Sequence, residues 1–244
     1  MNTSIDLIKD VLDKQVRVDY RANKEFLHEI VFSKNKTYPQ SPSPIVYIIS
    51  GGIASGKSTL CYNFLKYLND VDLPFIGNDT IFELYFEGRT TFDRDYDEAR
   101  EYVDKLINEL IDNHTSFAWE TVFSKDKKVE VLNRLKANGY RIVCLFVGVN
   151  LETSIERSKT REGMGGNIVK PSFIEDRFNK INDYMKIIRQ HFDEFYLFSN
   201  EHKLKLLYGK DTSSTFVAET LPNWAERLLQ LWWSQWVLPI MVMS

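Results

Sequence analysis

The chain has 244 residues, of which 43% are hydrophobic, 14% aromatic and 27% charged, with a formal net charge of −3. That composition excludes a disordered polymer, and the small excess of acid makes nucleic acid an unlikely partner for any general electrostatic grip. The length suits one large domain, or one domain with a short appendage, and such a chain needs neither a disulfide nor a metal staple.

In chain order, residues 4–33 carry apolar side chains at helical spacing (Ile5, Ile8, Val11, Leu12, then Phe26, Leu27, Ile30) and predict an amphipathic helical arm over 1–38. Residues 39–44 hold Pro39, Pro42 and Pro44, a density that forbids helix and marks an extended linker. The main domain, 45–244, opens on Ile45-Val46-Tyr47-Ile48-Ile49, a β-branched run suited to a strand covered on both faces. Further strands are predicted at 74–77, 116–119, 141–147, 195–198 and 205–208. Helical patterns lie between them at 57–70, 95–112, 127–138, 151–161 and 172–190. This alternation predicts an α/β fold, a parallel sheet with helices on both faces.

The first strand runs into Gly51-Gly52-Ile53-Ala54-Ser55-Gly56-Lys57-Ser58-Thr59, which matches G-x-x-x-x-G-K-[ST]. Glycines let successive backbone N–H groups turn inward around phosphate oxygens, and the helix that follows adds its positive end. Lys57 is placed for the β- and γ-phosphates, and the Ser58 hydroxyl for Mg²⁺. Binding of a nucleoside triphosphate follows from strand, loop and helix together.

Two acids stand at the ends of predicted strands. Asp79, in Asn78-Asp79-Thr80, faces the same crevice as the phosphate loop, because ligands of open α/β sheets bind outside the carboxyl ends of the strands. It can accept a proton from a hydroxyl or help hold Mg²⁺; an ordinary helix cap would also explain it. Glu120 closes the next strand, and with Thr121 it is a candidate for substrate or metal contact; a solvated strand end is the plainer alternative. Arg157, Arg161 and Arg177 flank a segment holding Gly163, Gly165 and Gly166, an arrangement that suits a lid whose guanidinium forks neutralise a transferring phosphoryl. The four histidines are scattered, without ligand spacing.

This ordered set resembles the zeta-toxin-like P-loop kinases. It comprises the loop at 51–59, Asn78-Asp79-Thr80, Glu120-Thr121-Val122-Phe123-Ser124, the strand region 138–148, Ser154-Ile155 through Arg157, and Arg161, Gly165-Gly166 and Arg177-Phe178. The similarity spans roughly residues 45–210. The resemblance implies an ATP- and Mg²⁺-dependent kinase acting on a hydroxyl of a nucleotide sugar such as UDP-N-acetylglucosamine. Asp79 then looks like the general base, Lys57 and Ser58 like the ATP and Mg²⁺ contacts, Glu120 like a substrate-binding acid, and Arg161 and Arg177 like the arginines on the phosphate. It also implies a helical antitoxin as a partner. A kinase for another acceptor (nucleoside, antibiotic or polynucleotide end), or an NTP-dependent regulatory module without transfer, remains open at this point. Asn167 departs from the pattern, where relatives carry histidine, and the arm lies outside the kinase core.

The tail begins with Pro222 and Trp224 and continues with Leu228, Leu229, Leu231, Trp232, Trp233 and Trp236, apolar on most faces of a helix. It predicts packing on the domain or a homodimer. Gln230, Ser234, Gln235 and Pro239 keep it short of the roughly 20 apolar residues of a membrane span. With no signal-peptide core at the start, and Cys61 and Cys144 inside apolar stretches as reduced thiols, a cytoplasmic protein is expected.

Overall fold

The computed structural model describes the chain apart from residues 1–3, 18, 68–72, 87–91, 124–125, 164–168 and 234–244. Two helices come first, α1 (Ser4–Asp13) and α2 (Tyr20–Ile30). The sheet region then runs β1 (Ile45–Gly51), α3 (Lys57–Tyr67), β2 (Phe75–Gly77), α4 (Asn78–Phe86), α5 (Phe92–Asp112), β3 (Phe117–Thr121), α6 (Lys127–Ala137) and β4 (Arg141–Gly148). It continues with α7 (Leu151–Gly163), α8 (Pro171–Ile188), β5 (Glu194–Ser199), β6 (Lys205–Lys210), β7 (Thr215–Val217) and α9 (Asn223–Trp233).

Among the described residues the strands form one seven-stranded sheet in the order β2-β3-β1-β4-β5-β6-β7. β2 to β5 are parallel; β6 and β7 extend the sheet antiparallel. The antiparallel edge was not foreseen, and its cause is local. Only residues 200–204 separate β5 from β6, too few for the crossover that a parallel neighbour requires.

The central strands are apolar because both faces are covered. One face receives α5, α6, α8 and α9, whose Leu106, Leu132, Met185 and Leu228 meet Ile48, Trp119 and Phe146. The other receives α3 and the N-terminal helices, with Ile5, Ile8, Val11 and Leu27 packed among Phe64, Leu145 and Phe198.

The single helix expected over 4–33 is broken. Asp19 caps α2 by accepting the Ala22 N–H at 2.8 Å, which satisfies a donor the helix start leaves orphaned. Between the two helices, the Asn63 side chain takes the Val16 N–H at 2.9 Å and donates to the Val16 carbonyl at 3.4 Å. The amphipathic spacing was right for both pieces and silent about the break. In the linker, Gln40 bridges to Thr115, and Ser41 N–H donates to the His114 carbonyl at 2.9 Å. The Ala225, Leu228 and Leu229 side chains of α9 are buried in the domain.

Candidate phosphoryl-transfer site

Strand register brings the site together. Glu120 pairs with Gly77 on one side and Ile49 on the other, and Gly51 pairs with Val147. The ends of β1, β2, β3 and β4 therefore open on one crevice. α4 starts directly after Gly77 and puts Asp79, exposed, in its first turn. The helix that absorbs Asn78-Asp79-Thr80 was not anticipated; it places the acid in the first turn of α4, where a negative charge also suits the helix start.

The phosphate loop, Gly51 to Gly56, is tightly framed. Gly56 has φ +99° and Gly51 φ +151°, and Ala54 is a non-glycine residue at φ +53°. Such left-handed backbone persists in a side-chain-bearing residue only when its surroundings enforce it. A Cβ on Gly51 would stand 2.1 Å from the Val147 carbonyl oxygen. Lys57, the first residue of α3, donates from Nζ to the Gly52 carbonyl at 2.9 Å, and the Ser55 hydroxyl donates to the same oxygen at 2.9 Å. Ser58 and Thr59 follow in the first turn of α3, partly buried, and the Asn23 amide of α2 reaches the Thr59 hydroxyl at 3.5 Å.

Lys57, Glu120, Asp79 and Arg161 form one electrostatic group. Burial pushes the Lys57 ammonium below its ordinary range; the Glu120 and Asp79 carboxylates oppose this and the Arg161 charge adds to it. Burial pushes Glu120 above the usual carboxylate range, with Lys57 and Arg161 opposing and Asp79 adding. Charges drawn from α3, β3, α4 and α7 thus act on one another across the mouth of the loop. Cys61, one turn beyond Lys57, is buried, and its thiol is pushed well up by that burial and then by the Glu120 charge.

Thr121 is buried at 6% exposure, which leaves Glu120 as the more open member of that pair. Arg177 lies on α8 with its guanidinium 4.7 Å over the Phe173 ring of its own helix; the charges that shift Lys57 and Glu120 come from the other four residues' group. Arg157 donates to the Glu201 carbonyl at 2.7 Å. Ser124, Gly165, Gly166 and Asn167 lie outside the described residues.

Residues without a motif complete the frame. Asn200, just after β5, donates its amide to the Ser55 carbonyl at 3.1 Å, and its N–H to the Gly148 carbonyl at 3.1 Å. The Ser154 hydroxyl of α7 donates to the Ile53 carbonyl. The position of Asn200 at a strand's carboxyl end was a usable signal; Ser154 stood in the segment 154–157 that carries part of the resemblance, without a role assigned to it.

Among the described residues, no group of three or more His, Cys, Asp or Glu side chains could by itself hold a metal. A magnesium ion arriving with a nucleotide asks less of the protein, because it keeps waters and takes phosphate oxygens. The Ser58 hydroxyl is an oxygen donor of the right kind at the start of α3. No helix among the described residues is long and apolar enough to cross a membrane.

Residues 29–213 match the family model described as zeta toxin. No curated protein matches the chain. Among solved structures, the chain is similar to one from the PezAT chromosomal toxin–antitoxin system of Streptococcus pneumoniae, at 18% identity and a TM-score of 0.60, covering 92% of each chain. It is also similar to one in the AvrRxo1-ORF1:AvrRxo1-ORF2 complex with ATP, at 14% identity and a TM-score of 0.56, covering 92% of this chain and 71% of that one. At these identities the likeness shows the fold, that of the P-loop kinases.

Proposed function

Because the chain belongs to the zeta toxin family, we propose that it is an ATP-dependent phosphotransferase that delivers the γ-phosphoryl to a hydroxyl of a small molecule, a nucleotide sugar such as UDP-N-acetylglucosamine. The observation that carries this is the mutual electrostatic group of Lys57, Asp79, Glu120 and Arg161 at the mouth of the phosphate loop. A nucleotide sensor needs the loop but not an acceptor base with an acid beside it.

In this reading the acceptor oxygen attacks the γ-phosphorus while Asp79 takes its proton. The new P–O bond forms as the bond to the β,γ-bridging oxygen breaks, and ADP leaves with that electron pair. The loop N–H groups and Lys57 hold the β- and γ-phosphates, and Arg161 and Arg177 neutralise charge on the transferring group. The Ser58 hydroxyl would help hold a magnesium ion arriving with the nucleotide, which would supply further charge neutralisation. Glu120 and Thr121 meet the acceptor. The protein's contribution is positioning and electrostatic stabilisation.

The PezAT neighbour comes from a toxin–antitoxin system, which supports a helical antitoxin as a partner here. The burial of Ile5, Ile8 and Val11 against the domain supports reading residues 1–38 as a brace of the kinase domain, 45–244, rather than a cover over its nucleotide site.

The test is transfer from γ-labelled ATP to UDP-N-acetylglucosamine, other nucleotide sugars, nucleosides and a 5′-hydroxyl oligonucleotide, for wild type and Asp79→Asn. A labelled nucleotide sugar that vanishes in the variant supports the proposal. Label on another acceptor corrects the substrate class, and ATP binding without any transfer rejects the kinase in favour of a regulatory module.

A further inference from the structure

Trp224, at the start of α9, has no part in the steps above, yet it reaches the frame of the phosphate loop. The Trp224 ring of α9 lies against Gly148 so closely that a Cβ there would stand 2.3 Å from it. The Gly148 carbonyl accepts the Asn200 N–H, and the Asn200 amide holds the Ser55 carbonyl. Gly56 leaves no slack, since its Cβ would fall 2.0 Å from Asn200 Nδ2. Trp224 also lines, with Gly52, Ile53 and Ser55, a small cavity of about 30 Å³. Its indole N–H is enclosed with no acceptor in the protein. Burying that donor unpaired is unfavourable, so the site holds the ring for its shape rather than for a polar contact.

We infer that Trp224 is a positioning residue for the phosphate loop, acting through Gly148 and Asn200 on Ser55 and Gly56 and thereby on ATP affinity. The inference rests on reading the loop as an ATP site. Removing the ring lets Gly148 and the loop floor settle into the cavity, and a binding loop displaced by a fraction of an ångström loses affinity without losing its fold.

The experiment is ATP titration by calorimetry on the full chain, with folding followed by circular dichroism. Trp224→Ala is expected to raise the Kd for ATP about tenfold. Leu229→Ala, buried on the same helix, is expected to lose at least as much thermal stability while its Kd stays within about twofold, which separates positioning from bulk stability. Should Trp224→Ala fail to fold, Trp224→Phe keeps a ring of smaller reach and is expected to raise the Kd about threefold. In an Asn200→Ala background, Trp224→Ala is expected to add less than about twofold, because both act along one path. A folded Trp224 variant with the wild-type Kd, or full additivity with Asn200→Ala, overturns the inference. A wild-type chain that binds no ATP overturns the reading beneath it instead.

Discussion

Replacing Gly56 by alanine tests the framing of the phosphate loop in a single atom. The backbone there has φ +99°, and an L-residue held in such a region costs about 1–3 kcal/mol. The added Cβ also falls 2.0 Å from Asn200 Nδ2. The amide must leave, and the 3.1 Å bond to the Ser55 carbonyl goes with it, a net loss of about 1 kcal/mol. Together these amount to about 2–4 kcal/mol, or a fall in Tm of roughly 4–16 °C for a chain of this size. Thermal unfolding by circular dichroism measures it, with ATP titration alongside, where binding should weaken well beyond tenfold. The two contributions separate in an Asn200→Ala background, where the steric part is already gone and Gly56→Ala should cost about 1 kcal/mol less. If Gly56→Ala melts within about 2 °C of wild type, or costs the same in both backgrounds, the account of the loop's support is wrong.

Glu120 is raised above its ordinary 4.5 by burial. Its contribution to stability is therefore complete below that value and lost as pH rises through the folded one. Glu120→Gln should flatten the pH dependence of Tm, melt no lower than wild type at pH 8, and still reduce transfer about 10²-fold; a variant that melts lower at pH 8 than at pH 4 by more than wild type does would contradict the sign. Asp211 is the opposite case. Burial pushes it up, but the N–H and hydroxyl groups of Ser213 and Ser214 outweigh that and hold it below 3.8. Asp211→Ala should lose about 1–2 kcal/mol at pH 7, and the difference from wild type should shrink as pH falls below 3.8, measured by denaturant titration at both pH values. Ile8 is 3% exposed, so Ile8→Ala should cost about 2–4 kcal/mol and leave ATP turnover per folded molecule unchanged; a stimulated enzyme would instead reveal an inhibitory arm.

Part of this was legible because burial leaves a pattern. Ile45 to Ile49, Ile142 to Val147 and Phe195 to Phe198 are central strands, and their unbroken runs of apolar and aromatic residues say so. The phosphate loop was legible because its glycines answer a local conformational demand. What escaped was either short or long-range. β7 has three residues, too few for any period. α4 hides its first turn in Asn78-Asp79-Thr80, which serves equally as a strand end. The break between α1 and α2 depends on Asn63, 47 residues away. Lys57, Asp79, Glu120 and Arg161 could be nominated one at a time from strand ends and lid position; that burial pushes Lys57 down and Glu120 up, against their mutual attraction, needed coordinates. Asn200 belongs to the same frame and carries no motif.

The contact between Asn200 and Ser55 spans 145 positions of the chain. During synthesis the phosphate loop leaves the ribosome long before the residue that fastens it, and β4, which flanks β1 and ends at Gly148, also comes later. The loop's frame is therefore complete only once residues on both sides of it, out to Asn200, have been made. A truncated or stalled polypeptide would carry the whole Gly51 to Thr59 motif and yet have it unsupported. That ordering leaves the motif without the support of Asn200 until the chain has been made past it.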